Sequence, residues 1–297
     1  MSRRLAAAAI LCGGVLAAPL LAPHDPDEIV EVRGGRHLRP GSEVRIVSRP
    51  DGTRFIAPPA GPLPAGTPDG AIVETRRYLL GTDAFGRDLL SRMMYGARFS
   101  MGVTVLAVAI GMLLGVAAGS AAGYLGGPAD LGLVWIVDIL HSVPRVFLFL
   151  LCAALFAPSA ALVAIVLGLT GWTGIARLTR GHVLSLRESG FTAAARALGA
   201  TRSRILMRHV LPACAAPVAV ATTLLAADTM LAESSLSFLG VGIQPPHPSL
   251  GGLIADGRTG LADAWWVIVF PGLAVLFFVL LLHALARPRP MRTTPFF

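Results

Sequence analysis

Five long apolar runs, residues 99–125, 131–156, 159–176, 213–233 and 265–286, decide what this chain can fold into. Each is near the ~20 residues that a helix needs to cross the hydrocarbon of a bilayer. Inside lipid no water satisfies a backbone N–H or C=O, so a run of this length forms a helix, which bonds its own main chain. A sixth run, residues 5–22, is an alanine and leucine stretch behind Arg3 and Arg4. It reads as a short span or a signal peptide; the proline directly after Leu-Leu-Ala favours a retained span that starts in the cytoplasm. The expected fold is an all-α polytopic membrane protein with six transmembrane helices.

Charge narrows the function. The net charge of +8 comes from 25 basic residues, every one an arginine. A phosphate-binding loop of the GxxxxGK[ST] type needs a lysine, so this chain lacks that ATP site, and Schiff-base chemistry is excluded by the same absence. The basic excess gathers beside apolar spans, which is the positive-inside bias rather than a nucleic-acid surface. Cys12, Cys152 and Cys214 are far apart in apolar segments, with no CxxC, and read as inert thiols. No GxSxG or HExxH pattern supports an intramembrane enzyme, so no catalytic or metal-ligating set is assigned.

The stretch from Arg187 to Pro212 is the long polar interval in the second half of the chain. Phe191, Ala194, Ala195 and Leu198 recur at spacings of three and four, one narrow apolar helical face, with Ser189 as a cap and Gly199 as a left-handed end. A second amphipathic helix is expected over 201–210, with Ile205, Leu206 and Val210 on one side and Arg202, Arg204 and Arg208 on the other. Pro212 stops it or opens the next segment. Between residues 177 and 212 seven arginines face one glutamate, which places this loop inside the cell.

Ahead of the core, residues 23–95 balance ten arginines with ten acids and are rich in Pro and Gly, compatible with the outer face. Val44–Val47 and Arg54–Ala57 flank Pro50-Asp51-Gly52 as a hairpin. This part is either a tether or a lip that touches a delivery protein. Residues 81–98 read as an interfacial helix capped by Thr82 or Asp83, with Asp88 and Arg92 paired at i,i+4. Gly111, Gly115, Gly119 and Gly123 make a bare stripe for close helix packing, with a hinge as the lesser reading.

Ionisable groups inside spans mark candidate sites, because each costs roughly 2.5–3.5 kcal/mol to insert. Asp138, His141 and Arg145 share a face around Pro144; mutual ion pairing or lining of a path is favoured over a proton relay or a metal site, for want of ligands. Asp228 and Glu233 either face a pathway or serve as caps and interhelical hydrogen-bond partners. Trp265 and Trp266 read as an outer aromatic anchor, with Arg287, Arg289 and Arg292 as an inner basic one, so both termini are expected in the cytoplasm.

The runs AARALGA and RHVLP are similar to the cytoplasmic signature loop of permease subunits in bacterial binding-protein-dependent ABC importers. LGTDAFGRDLLSRMMYGAR with the preceding APHDP, and SSLSFLGVGIQPPHPSLGG, resemble the oligopeptide and dipeptide permeases of the C-subunit type. The family's Glu-Ala-Ala is Ala193, Ala194, Ala195 here, so its glutamate is missing, and RPRPMRTTPFF replaces the family's Gly-Asp-Gly-Leu-Arg-Asp type tail.

The resemblance implies an ATPase-coupling set of Phe191, Ala194, Ala195, Arg196, Leu198 and Gly199. It also implies pathway-lining candidates Asp138, His141, Asp228 and Glu233. Expected partners are a second homologous permease, two ABC ATPases that carry the ATP and Mg, an extracytoplasmic substrate-binding protein and membrane lipid. The division that follows is a first span at 1–22, an extracytoplasmic loop at 23–80, an interfacial helix at 81–98, a five-helix permease core at 99–286 with a coupling loop at 177–212, and a cytoplasmic tail at 287–297. The location is a bacterial inner membrane and the cargo a peptide. Nickel or another small solute is the alternative within the family, and a stand-alone secondary transporter the alternative outside it.

Overall fold

The computed structural model describes residues 13, 17–30, 32–49, 53–61, 67 and 71–286. In chain order the strands are β1 (Ser42–Ser48), β2 (Arg54–Ala57) and β3 (Ile72–Tyr78). The α-helices longer than a single turn are α1 (Leu89–Leu125), α2 (Gly127–Ser142), α3 (Arg145–Leu155), α4 (Ala160–Arg187), α5 (Gly190–Ala197), α6 (Leu211–Phe238), α7 (Leu250–Asp256) and α8 (Trp266–Ala286). A helical turn Arg202–Ile205 and a π-helical turn Leu206–Val210 run straight into α6.

Helices α1, α4 and α8 and the continuous run Arg202–Phe238 are each long and apolar enough to cross a membrane. The pair α2 and α3 adds a fifth span if counted as one, bent by 79°. Of the expected first span only residues 13 and 17–22 are described, with a helical turn at Ala18–Leu21; the rest of it and the tail 287–297 lie outside the described residues.

Four expectations need correction. The third span is broken, because Pro144 has no N–H and its ring forces Val143 into extended backbone (φ −103°, ψ 122°). The interfacial helix does not start at Gly81: Gly81 and Gly86 adopt positive φ, so residues 81–88 form a turn closed by a bridge between Thr82 and Asp88. Helix begins at Leu89 and continues without interruption to Leu125. The second amphipathic helix is likewise no separate element. Pro212 cannot donate to the carbonyl four residues back, and the chain takes up the fault with a π turn, Leu211 N–H bonding Leu206 O, instead of stopping. Finally, the fold is not purely α, since a sheet precedes α1.

The chain divides into two compact units. The first comprises Met1–Gly102, Pro158–Ala160 and Glu233–Phe277. Its antiparallel sheet has the order β2-β1-β3. The expected hairpin is present, with Val47 opposite Phe55 and Ile46 opposite Ile56, although Pro50, Asp51 and Gly52 lie outside the described residues. Strand β3 pairs with the other edge of β1, and Val44, Ile46, Val47, Ala57 and Tyr78 are buried. Leu89, Ala264, Trp266 and Val267 form a second apolar cluster. Trp266 is therefore core, its indole N–H bonding Thr82 O at 3.4 Å, and only Trp265 of the expected aromatic pair is exposed.

The second unit comprises Val103–Ala157, Ala161–Ala232 and Phe278–Phe297. Here the glycine stripe of α1 lies on α4. A Cβ at Gly115 would meet Ile175 Cβ at 2.7 Å and Trp172 O at 2.8 Å; one at Gly119 would strike Ala176 O, and one at Gly123 would meet Arg180 O at 2.9 Å. The contacted carbonyls step by four residues along α4 as the glycines do along α1. The two backbones therefore approach along matched rows, which supports the packing reading over the hinge.

Candidate functional site

Helix α5 hangs from the end of α4 by two hydroxyls. Ser189 Oγ and Thr192 Oγ1 both donate to Leu186 O, at 2.6 and 2.8 Å, beside the Ser189 N–H at 3.2 Å, and Thr192 is fully buried. Ser189 is the N-cap residue, as expected, but its side chain bonds backward to α4 rather than to the amides of α5. At the other end Gly199 has φ +81°, its N–H bonds Arg196 O and the Ala200 N–H bonds Ala195 O, the two bonds of a Schellman ending.

The apolar stripe on α5 divides between two environments. Ala195 packs inward, with Ala200, on a cluster that contains Tyr124, Ile175, Val183, Ile205 and Val210. Phe191 and Leu198 are 45 % and 88 % exposed, and Ala194 is exposed between them. An exposed Phe, Ala and Leu at i, i+3 and i+7 form a surface that none of the described residues covers. Arg196, on the same short helix, lines a cavity of about 310 Å³ with Tyr124, Leu125, Arg187, Ala200, Arg202 and Ile205.

Among the intramembrane ionisable groups, Asp138, His141 and Arg145 do not pair with one another, because the break at Pro144 puts Arg145 on a different helix. Asp138 Oδ1 instead accepts from Arg177 of α4 at 2.6 Å, and His141 Nε2 meets Thr173 Oγ1 at 2.9 Å. The Asp138–Arg177 pair is 61 % and 51 % exposed on its side chains. Asp130 of α2 pairs with Arg180 of α4. Asp228 is also exposed. Charges left uncovered on apolar helices face water or another protein, not hydrocarbon. Glu233 differs: it is 0 % exposed, its carboxylate accepts from Ser237 at 2.8 Å and Ser234 at 3.4 Å on its own helix, and Ser100 of α1 also bonds it, the contact that fits the interhelical alternative.

The first unit holds a buried charge cluster that the sequence pattern did not reveal. Asp83, fully buried, accepts from the Phe85 and Arg87 amides and from Arg87 Nε at 2.7 Å. Arg92 lies 3.5 Å from Asp83, 3.3 Å from Asp27 and 3.9 Å from Asp256. The expected Asp88–Arg92 pair is absent. Asp88 caps α1 instead, bonded by the Ser91 amide at 2.9 Å and hydroxyl at 2.5 Å, with His24 Nδ1 at 3.6 Å. Burial alone raises the Asp88 carboxyl; contact with His24 and the Ser91 bonds outweigh it and hold the group below the usual carboxylate range. Asp256, beside Arg92 and Arg87, is pushed up by burial in spite of them. No group of three or more possible metal ligands occurs among the described residues.

Three partners were missed by reading along the chain: Arg177, Thr173 and Thr192. Arg177 and Thr173 sit at helical spacing on α4, and that spacing was the one available signal, yet it does not say which acid or imidazole they meet.

Residues 111–289 match the family described as binding-protein-dependent transport system inner membrane component. A Brucella suis protein provisionally named as a peptide transport system permease is 38% identical over 216 residues, 71% of this chain and 73% of that one. The oligopeptide transport system permease protein OppC of Mycobacterium bovis is 40% identical over 197 residues, 66% and 68% of the two chains. Among solved structures, an inward-facing form of the MetNI methionine ABC transporter shares the fold at TM-score 0.53 and 18% identity, over 67% of this chain and 96% of the other.

Proposed function

This chain belongs to the family of inner membrane components of binding-protein-dependent transport systems, and from that premise we propose that α5 is the lever on which a partner ATPase acts. The chain is a permease subunit of an ABC importer and a multi-pass membrane protein. The cargo is a peptide, by the names of its relatives. ATP and Mg reside on two ATPase subunits, a second permease completes the path, an extracytoplasmic binding protein delivers the cargo, and both termini are cytoplasmic.

One observation carries the lever reading: the uncovered apolar face of Phe191, Ala194 and Leu198, on a helix whose opposite side is anchored by Thr192 and Ala195. A helix tied to the end of α4 by two hydrogen bonds, and to α6 through the short run 198–210, transmits a push instead of absorbing it. Such a push shifts the population between inward-open and outward-open states only if the ATPase binds α5 differently in each. The carboxylate replaced by Ala193 plays no part; contact is apolar, with Arg196 at its edge. The exposed Asp138–Arg177 pair, His141 and Asp228 lie toward the path or the second permease.

The test is Phe191→Asp with Leu198→Asp in membranes that hold the whole importer. Insertion is expected to be intact, since both side chains are exposed, and co-purification of the ATPase to fall by at least about tenfold, as for loss of a buried interface anchor. Unchanged co-purification overturns the lever.

A further inference from the structure

The cavity of about 310 Å³ beside α5 is lined by three arginines, Arg187, Arg196 and Arg202. Glu188 is the one acid between residues 177 and 212, and it is already bonded to Arg187 at 3.3 Å. Arg187 also bonds Gly123 O at 3.4 Å, which holds its guanidinium at the wall. Arg196 and Arg202 have no acidic partner among the described residues. Tyr124 also lines the cavity, with its hydroxyl buried in the wall. At about 30 Å³ per water the space equals roughly ten waters, ample for a tetrahedral anion. The cavity lies where α1 and α4 end, at Leu125 and Arg187.

We propose that this cavity binds a phosphate group, supplied by an anionic phospholipid headgroup or by the free ion. Planar guanidinium forks match phosphate oxygens bidentately. Basic pockets between membrane helices on the positive side take lipid headgroups in this way. Occupancy ties the end of α1 to α5, which stiffens the segment without touching its exposed apolar face. The proposal does not rest on the lever, because it concerns the chain with no ATPase present.

The test uses the purified full chain in detergent, offered phosphatidic acid, diacylglycerol or inorganic phosphate and followed by native mass spectrometry. Phosphatidic acid is expected to be retained over diacylglycerol, which differs from it by the phosphate alone. Arg196→Gln with Arg202→Gln is expected to lower that retention at least about tenfold, the scale of lost hydrogen bonds to a charged group. Arg204→Gln with Arg208→Gln removes the same charge outside the cavity and is expected to change it by less than about twofold. Inorganic phosphate that binds alone and displaces the lipid identifies the free ion as the ligand; lipid retention that phosphate does not displace identifies the headgroup. Equal retention of diacylglycerol, or an equal loss in the Arg204 and Arg208 variant, overturns the proposal. All four substituted arginines are exposed, so the variants are expected to fold, and Arg196→Gln alone serves if the double variant does not.

Discussion

At the residue scale the start of α1 depends on Asp88. Its carboxylate satisfies an amide that the first turn of the helix leaves unpaired and lies against His24 in a buried setting. Asp88→Ala is therefore expected to cost at least about 1 kcal/mol, read as a lowered unfolding temperature of the detergent-solubilised chain. The pH dependence follows from the direction of its shift. A carboxyl held below its unfolded value contributes stability that is complete above the ordinary carboxylate range and disappears as pH falls through its lowered value. The contribution of Asp256 runs the other way, since burial raises it: its ionised form costs stability as pH rises from the ordinary range to the raised one. In Asp88→Ala the acid limb of the stability curve should flatten, whereas Asp256→Asn should leave that limb and relieve the cost above it. Capping was legible from the composition of 81–88, but the sequence pointed to Thr82 or Asp83 as the cap and paired Asp88 with Arg92. Positive φ at Gly81 and Gly86 selected Asp88.

At the element scale the α1–α4 contact is the most specific in the second unit. Gly115→Ala inserts a carbon 2.7 Å from Ile175 Cβ, whereas Gly102, on the same helix, has nothing within 4 Å of an added Cβ. Gly115→Ala is expected to destabilise by about 1–3 kcal/mol through overpacking, and Gly102→Ala to be neutral or stabilising by about 0.5–1 kcal/mol. Thermal unfolding of the two variants side by side checks the contrast; equal effects would mean that the rows do not touch. The four-residue period of the glycines was readable along the chain. Its counterpart on α4 was not, because there the contact is made by carbonyls of Trp172, Ala176 and Arg180, which carry no signature in the side-chain pattern. The α2–α3 break was not anticipated: the apolar run 131–156 was expected as one span through Pro144, and the 79° bend there depends on what surrounds it.

At the scale of the whole molecule the lever and the phosphate cavity both require residues 177–212 on the cytoplasmic face. In a chain whose native cysteines are replaced by alanine, Ala193→Cys is expected to react with a membrane-impermeant thiol reagent only from the cytoplasmic side, and Glu43→Cys on strand β1 only from the opposite side. Labelling of both from one side would remove the premise of the lever. Hydropathy and turn chemistry act locally along the chain, so the sequence alone determined the long apolar helices and the left-handed end at Gly199. Tertiary structure decided which charges meet and which face of α5 stays bare. Asp138 finds Arg177 39 positions away and Asp130 finds Arg180 50 positions away, while Ala195 turns inward and Phe191 outward. A period along one helix names a face; only the neighbouring helix, in place, says whether that face is covered.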